Sequence, residues 1–262
     1  MANSISMTDF LKKFSKNALL IRASTLLMAV AFWLLIWQMA ATLTDNSFIL
    51  PDIPSTFSAL LSIIASGKFF TTVLLTLLRV LCGLALGIVA GIVFAVFAYK
   101  SSIFRSLFSP IVSIIKSTPV ASFIIILWIS MSGDALAIFV AFLMVMPIIW
   151  QNLMDGFGSI SNELLEVCEV FELSLLKKIR FLIAPALIKY LVPAMITATG
   201  LAWKSEIAAE IIAYTKNSIG YYINDAKYYL NTPEVFAWTF VIIVLSLLLE
   251  RIAKSLLKRC KI

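Results

Sequence analysis

Three charged residues, Lys204, Glu206 and Glu210, stand within an apolar stretch that is otherwise suited to crossing a membrane. Charges inside such a stretch are costly, and they usually face a protein interior or a water-filled cavity. Glu206 and Glu210 are one helical turn apart, so their carboxylates repel each other unless one is protonated or a cation lies between them. Two basic residues on other apolar stretches, Arg79 and Lys116, are candidate partners.

Two interpretations of these charges stay open at the level of sequence. The charges form ion pairs that fix helix packing, or they line a polar path through the membrane. We favour the lining. A basic residue beside such a path suits an anionic substrate, although the neighbouring acids weaken that inference.

Catalytic chemistry has little support in this chain. It contains no histidine, and its cysteines, Cys82, Cys168 and Cys260, are dispersed and lack the spacing of metal ligands. No phosphate-binding loop of the G-x-x-x-x-G-K-[ST] type and no nucleophile with a nearby base is evident. We therefore expect no enzymatic activity, no disulfide, no bound metal and no cofactor.

The composition predicts a polytopic all-α membrane protein. Hydrophobic residues make up 61% of the chain and charged residues 13%, with a mean hydropathy of +1.02. A soluble domain is about 45–50% apolar and about 25% charged. The net charge of +7 comes largely from basic residues at the ends of apolar runs, which indicates membrane topology rather than a nucleic-acid partner.

Membrane spans are predicted from runs of about 20 apolar residues. A segment of residues 1–19 is expected in the cytoplasm, followed by a single transmembrane domain of residues 20–262. Basic residues near both ends place both termini in the cytoplasm, and a cleaved signal peptide is disfavoured because the first apolar run has the length of a span. The predicted spans, about six in number, are residues 20–43, 69–98, 107–131, 135–154, 191–214 and 235–253.

Two of these spans carry informative interruptions. Gly83, Gly87 and Gly91 recur at four-residue steps in the second span, which predicts close packing against another helix. Lys116 to Pro119 interrupt the third span, where a proline frees a backbone carbonyl that a neighbouring helix or a polar cavity must satisfy. The third span is therefore expected to bend.

A polar island, residues 155–190, separates the fourth and fifth spans. It predicts a short amphipathic helix capped by Ser161 or Asn162, then a second short helix from Ser174 that Pro185 interrupts. A solvated surface hairpin without a special role is the alternative. The apolar face consists of Leu164, Leu165, Cys168, Phe171 and Leu175, and the acidic face of Glu163, Glu166, Glu169 and Glu172.

The stretch "LLEVCEVFELSLLKKIRFLIAPALIKYLVPA" resembles the EAA loop of binding-protein-dependent ABC importer permeases. The Glu-Ala-Ala signature of that family falls on Glu166, Val167 and Cys168, of which only the glutamate is retained. The Gly of the family falls on Glu172, and its apolar-Pro pair on Ala184–Pro185. The resemblance implies that residues 155–190 form the coupling loop, on which cytoplasmic ATPase subunits dock.

Further stretches resemble permeases of the nitrate/sulfonate/taurine family. They are Leu50-Pro51 through Pro54-Ser55, "LLRVLCGLALGIVAGIVFA", Trp203 with Glu210 in an "A-W … A-E" pattern, and residues 219–237. In that family a basic residue and a proline-containing stretch occupy the place of Lys116, Thr118 and Pro119, which implies a bend beside the translocation path. The resemblance implies the type I ABC importer permease fold and a dimeric pore. An external solute-binding protein would dock near residues 44–68 and 215–233.

We therefore predict a permease subunit in the cell membrane of a prokaryote, surrounded by lipid and paired with a second subunit, with a homodimer expected. Its ATPase would be a separate subunit. Its substrate is expected to be a small anion such as a sulfonate, taurine or nitrate. The alternatives are a permease for a vitamin-precursor heterocycle and, in a different class, an ion-coupled secondary transporter that uses Lys204, Glu206 and Glu210.

Overall fold

Helices make up every regular element of the part of the chain that the structure describes. The computed structural model describes the backbone of residues 7–258 and the side chains of residues 24–257, so the basic side chains predicted to fix both termini fall mostly outside it. The helices are α1 Met7–Thr44, α2 Ile53–Ala65, α3 Phe69–Lys100, α4 Ser102–Ser117, α5 Val120–Trp128, α6 Gly133–Gly158, α7 Asn162–Val170, α8 Leu175–Lys178, α9 Ala184–Ile212, α10 Ile219–Tyr228 and α11 Thr232–Lys258.

Five helical runs in the described residues are long and apolar enough to cross a membrane: Ser24–Thr44, α3, α6, Leu175–Ile212 and α11. The pair α4 and α5 adds a sixth if it counts as one span, which agrees with the predicted number. This pair is bent by 103°. Thr118 has extended backbone angles because a proline follows it, and the helix therefore stops before Pro119.

The predicted glycine stripe brings α3 and α6 into backbone contact. A Cβ atom placed on Gly83, Gly87 or Gly91 would lie 2.6 or 2.7 Å from the Cβ of a residue of α6. No side chain larger than hydrogen fits at that distance. The side chains that fill these positions are Ala141, Val145 and Ile149, all fully buried.

The remaining helices surround this pair. α9 packs along α6, and α5 packs against both of them through Ile124, which is fully buried together with Leu136 and Ala209. α2, α10 and the start of α11 form a layer at one end of the bundle, where the hydroxyl of Thr232 donates to the Phe48 carbonyl at 2.8 Å. We call this the α10 end and the opposite one the α7 end.

Candidate functional site

The polar island at the α7 end is shorter than predicted. α6 continues to Gly158 and α9 begins at Ala184, so the irregular and short-helical part covers residues 159–183 rather than 155–190. Ser161 caps α7 as predicted, because its hydroxyl accepts the Leu164 backbone N–H at 3.4 Å.

A tight turn at Glu172 ends α7. The backbone N–H of Leu173 donates to the Cys168 carbonyl at 3.0 Å, and that of Glu172 to the Glu169 carbonyl at 2.9 Å. This pattern is a Schellman motif, whose turn residue usually is glycine because its φ is positive. Glu172 has φ +45°, so the chain keeps the left-handed backbone at the position where the resembled family has glycine.

The predicted interruption at Pro185 is wrong. The helical run continues from Leu175 to Ile212, and a π-helical turn, Ile179–Ile183, lies just before the proline. The backbone N–H of Ala184 donates to the Ile179 carbonyl, five residues back. Such a widened turn relieves the clash that a proline causes in a regular helix, which is why the helix is not broken.

The helix α7 and the turn after it present a mixed acidic and apolar surface. Cys168 is buried and anchors α7, but Val170 and Phe171 are 80% and 72% exposed, and Leu175 is 77% exposed. Only part of the predicted apolar face is therefore buried within the chain. Apolar groups gathered on one surface and rimmed by charge mark a partner site. The exposed acids beside them are Glu163, Glu166, Glu169 and Glu172.

Near the α10 end, Glu210 lies at the centre of a buried polar cluster. Its carboxylate accepts from the Thr76 hydroxyl at 2.8 Å, the Arg79 guanidinium at 3.0 Å and the Gly220 backbone N–H at 3.1 Å. The Glu210 side chain is fully buried. A buried carboxylate is stable only with such partners, and these partners join α3, α9 and the start of α10.

Arg79 extends the cluster to α6. Its Nε donates to Asp134 at 2.8 Å and one terminal nitrogen donates to the Lys216 carbonyl at 3.4 Å. Asp134 is exposed, whereas Arg79 is buried. The structure thus confirms Arg79 as a partner of Glu210, whereas Lys116 forms no ion pair with any described residue.

The residues predicted to line a path fall into two groups. Trp203, Glu206, Glu210 and Arg79 lie inside the chain, each at most 5% exposed. Lys116, Pro119 and Lys204 are exposed, and Thr118 is partly so. Lys204 and Glu206 are two positions apart on a helix, about 200° around its axis, and they therefore point in nearly opposite directions.

Sequence reasoning missed three members of the cluster, Thr76, Asp134 and Gly220. The sequence could have predicted Asp134 as a partner of Arg79, because Asp134 lies at the start of α6 and Arg79 lies in the first part of α3. Gly220 had no such signal, because only the structure shows that a Cβ atom there would overlap the Cβ of Glu210. No group of three potential metal ligands occurs among the residues that the structure describes.

Membrane-length helices with a charge cluster buried among them define a multi-pass membrane protein. The chain belongs to the family described as binding-protein-dependent transport system inner membrane component, which matches residues 83–262. It is an ABC importer permease of the nitrate/sulfonate/taurine type.

Named relatives agree over most of the chain. It is 23% identical over 233 residues to a putative aliphatic sulfonates transport permease protein, SsuC, of Bacillus subtilis, covering 88% of this chain and 84% of that one. It is 23% identical over 242 residues to the taurine transport system permease protein TauC of Escherichia coli, covering 90% and 86%. It is 30% identical over 186 residues to the bicarbonate transport system permease protein CmpB of Synechocystis, covering 71% and 66%.

Solved structures confirm the predicted type I importer permease fold. A chain of an amino acid ABC transporter, solved with histidines, superposes with a TM-score of 0.61 at 15% identity. The match covers 76% of this chain and 98% of that one.

Proposed function

We propose that this chain forms the translocation path of an ATP-driven importer for a small anion such as a sulfonate, taurine or nitrate. The relatives named for sulfonates, taurine and bicarbonate support an anionic substrate. A cytoplasmic ATPase supplies the energy, an external binding protein delivers the solute, and a second copy of the chain completes the pore. A vitamin-precursor heterocycle remains the alternative substrate class.

The exposed surface of α7 carries this proposal. Four exposed acids lie on α7 and the turn after it together with exposed apolar side chains, of which Phe171 and Leu175 are each more than 70% exposed. A partner with an apolar groove and a basic rim fits this surface. We infer that this partner is the ATPase, which places the α7 end and both termini in the cytoplasm.

At the α10 end we propose the docking surface for the binding protein. The two segments involved, residues 44–68 and 215–233, are joined directly, because the Thr232 hydroxyl in the second donates to the Phe48 carbonyl in the first. For the path itself we retain the accessible members of the predicted set, Lys116, Thr118, Pro119 and Lys204. Basic groups along such a path would attract an anion.

The test is co-purification of the chain with co-expressed candidate ATPase subunits, comparing wild type, Glu166→Arg and Glu250→Arg. Glu250 is a matched control because it is a partly exposed acid outside the α7 surface, and among the described residues its one ion pair is with Lys254. We expect wild type and Glu250→Arg to retain ATPase, and Glu166→Arg to lose it or to uncouple its activity from transport.

The opposite result has a clear meaning. If no ATPase co-purifies with the wild-type chain and ion-driven flux appears instead, sensitive to Glu206 and Glu210, the chain is a secondary transporter. If Glu250→Arg loses the ATPase as readily as Glu166→Arg, the α7 surface is not the docking site.

A further inference from the structure

Glu206 is a buried acid to which the proposed ATP-driven import assigns no role. Its side chain is fully buried, and neither carboxylate oxygen has a hydrogen-bond donor among the described residues. It lies one helical turn before Glu210, so the two side chains share one face of α9. Two ionised carboxylates buried side by side repel each other, and because both are acceptors only, neither can satisfy the other.

The charges around Glu206 do not compensate it. The charged groups that act on it are Glu210 on its own helix, Arg79 on α3 and Asp134 at the start of α6. Arg79 already bonds to both of the other acids. An ionised Glu206 would thus add a further negative charge to a cluster that holds one arginine and two acids.

Glu210 has room for one more donor. A carboxylate offers about four acceptor sites. Thr76, Arg79 and Gly220 supply three donors to Glu210, and its Oε2 receives only the Gly220 N–H and the longer contact from Thr76. A hydroxyl from Glu206 would fill the remaining site.

We propose that Glu206 is a proton-binding site: it is a neutral carboxylic acid in the folded protein and donates its O–H to Glu210. The proton then completes the cluster that joins α9 to α3 and α10. At neutral pH the folded chain holds this proton, whereas the unfolded chain has released it. Because the folded state binds more protons, the stability falls as pH rises.

The direct test is infrared spectroscopy of the purified chain in detergent at neutral pH. We expect a carbonyl stretching band of a protonated carboxylic acid that shifts on exchange into D₂O. The band is lost in Glu206→Gln, whose amide keeps the size of the side chain and its donor. It persists in Glu250→Gln, where an accessible acid changes.

Thermal unfolding between about pH 5 and pH 9 gives an independent readout. The melting temperature of Glu206→Gln should exceed that of wild type by a margin that grows with pH, because only the wild type has a proton to lose. The proposal is overturned if wild type shows no protonated carboxyl band at neutral pH, or if the band survives in Glu206→Gln. A melting-temperature difference that is constant with pH overturns it as well.

Discussion

Glutamates occur in two contrasting settings at opposite ends of this molecule. At the α10 end, Glu210 is fully buried and accepts from three donors on two other elements, α3 and α10. At the α7 end, Glu163, Glu166 and Glu169 are exposed and form no ion pair with any described residue. The same side chain therefore stabilises the fold in one place and is available to a partner in the other.

This contrast distinguishes glutamates that stabilise the fold from glutamates that are available to a partner, which the sequence alone does not distinguish. A buried carboxylate must be satisfied within the chain, so its removal damages folding. An exposed carboxylate contributes little to folding, so its removal is felt only when a partner binds. Stability measurements and partner-binding measurements should consequently respond to different glutamates.

The largest effect is expected for Glu210→Ala. The change leaves Arg79 buried with one of its two acids missing, and breaking a buried pair in this way costs about 3–5 kcal/mol. Thermal unfolding in detergent should show a large loss of stability or a failure to accumulate in the membrane. Glu169→Ala, at the exposed end, should stay within about 0.5 kcal/mol of wild type. Equal losses in both variants would remove the contrast.

Two glycines, one at each end of the molecule, predict an effect on stability smaller than that of Glu210→Ala. The backbone N–H of Gly220 bonds to Glu210, and an added Cβ would overlap the Cβ of that residue. Gly158, at the α7 end, has open space around the same position. Gly220→Ala should therefore lower the unfolding free energy by about 1–3 kcal/mol. Gly158→Ala should leave it unchanged or slightly higher, and a destabilised Gly158→Ala would contradict this view of the α7 end.

The smallest effect is expected at the turn that ends α7. Glu172→Gly removes the strain of a side chain at positive φ, which is about 1–2 kcal/mol. Glycine also raises the conformational entropy of the unfolded chain, which offsets part of this gain in stability. We expect slower hydrogen exchange at the Leu173 amide, with the melting temperature nearly unchanged. The control Glu169→Gly, inside α7, should act in the opposite direction, because glycine costs about 1 kcal/mol within a helix. Faster exchange in Glu172→Gly would show that the turn is not strained.

Much of the fold follows from hydropathy and small-residue spacing. The number of spans, the bend before Pro119, the close packing at the glycine stripe and the cap at Ser161 were all predicted from local patterns. Each depends on residues near one another in sequence or on one helix. Local chemistry is sufficient for such features.

The rest depends on contacts between distant segments. Glu206 and Glu210 share a helix face, but the sequence does not reveal that Arg79 and Thr76 reach only one of them. The continuation of the helix through Pro185 required a π-helical turn, which has no strong sequence signal. The structure of the single chain shows which of the predicted path residues are exposed. The surface that a second copy would cover depends on contacts between two chains, and no local sequence pattern predicts it.

The unbroken helical run from Leu175 to Ile212 has a mechanical consequence. Its 38 residues extend about 57 Å at 1.5 Å per residue, nearly twice the hydrocarbon thickness of a bilayer. One end adjoins the turn at Glu172, and the other carries Glu210. If a helix of this length tilts about its middle, its two ends move in opposite directions. A force applied to the helix at one membrane surface therefore displaces its other end, and the helix keeps its secondary structure.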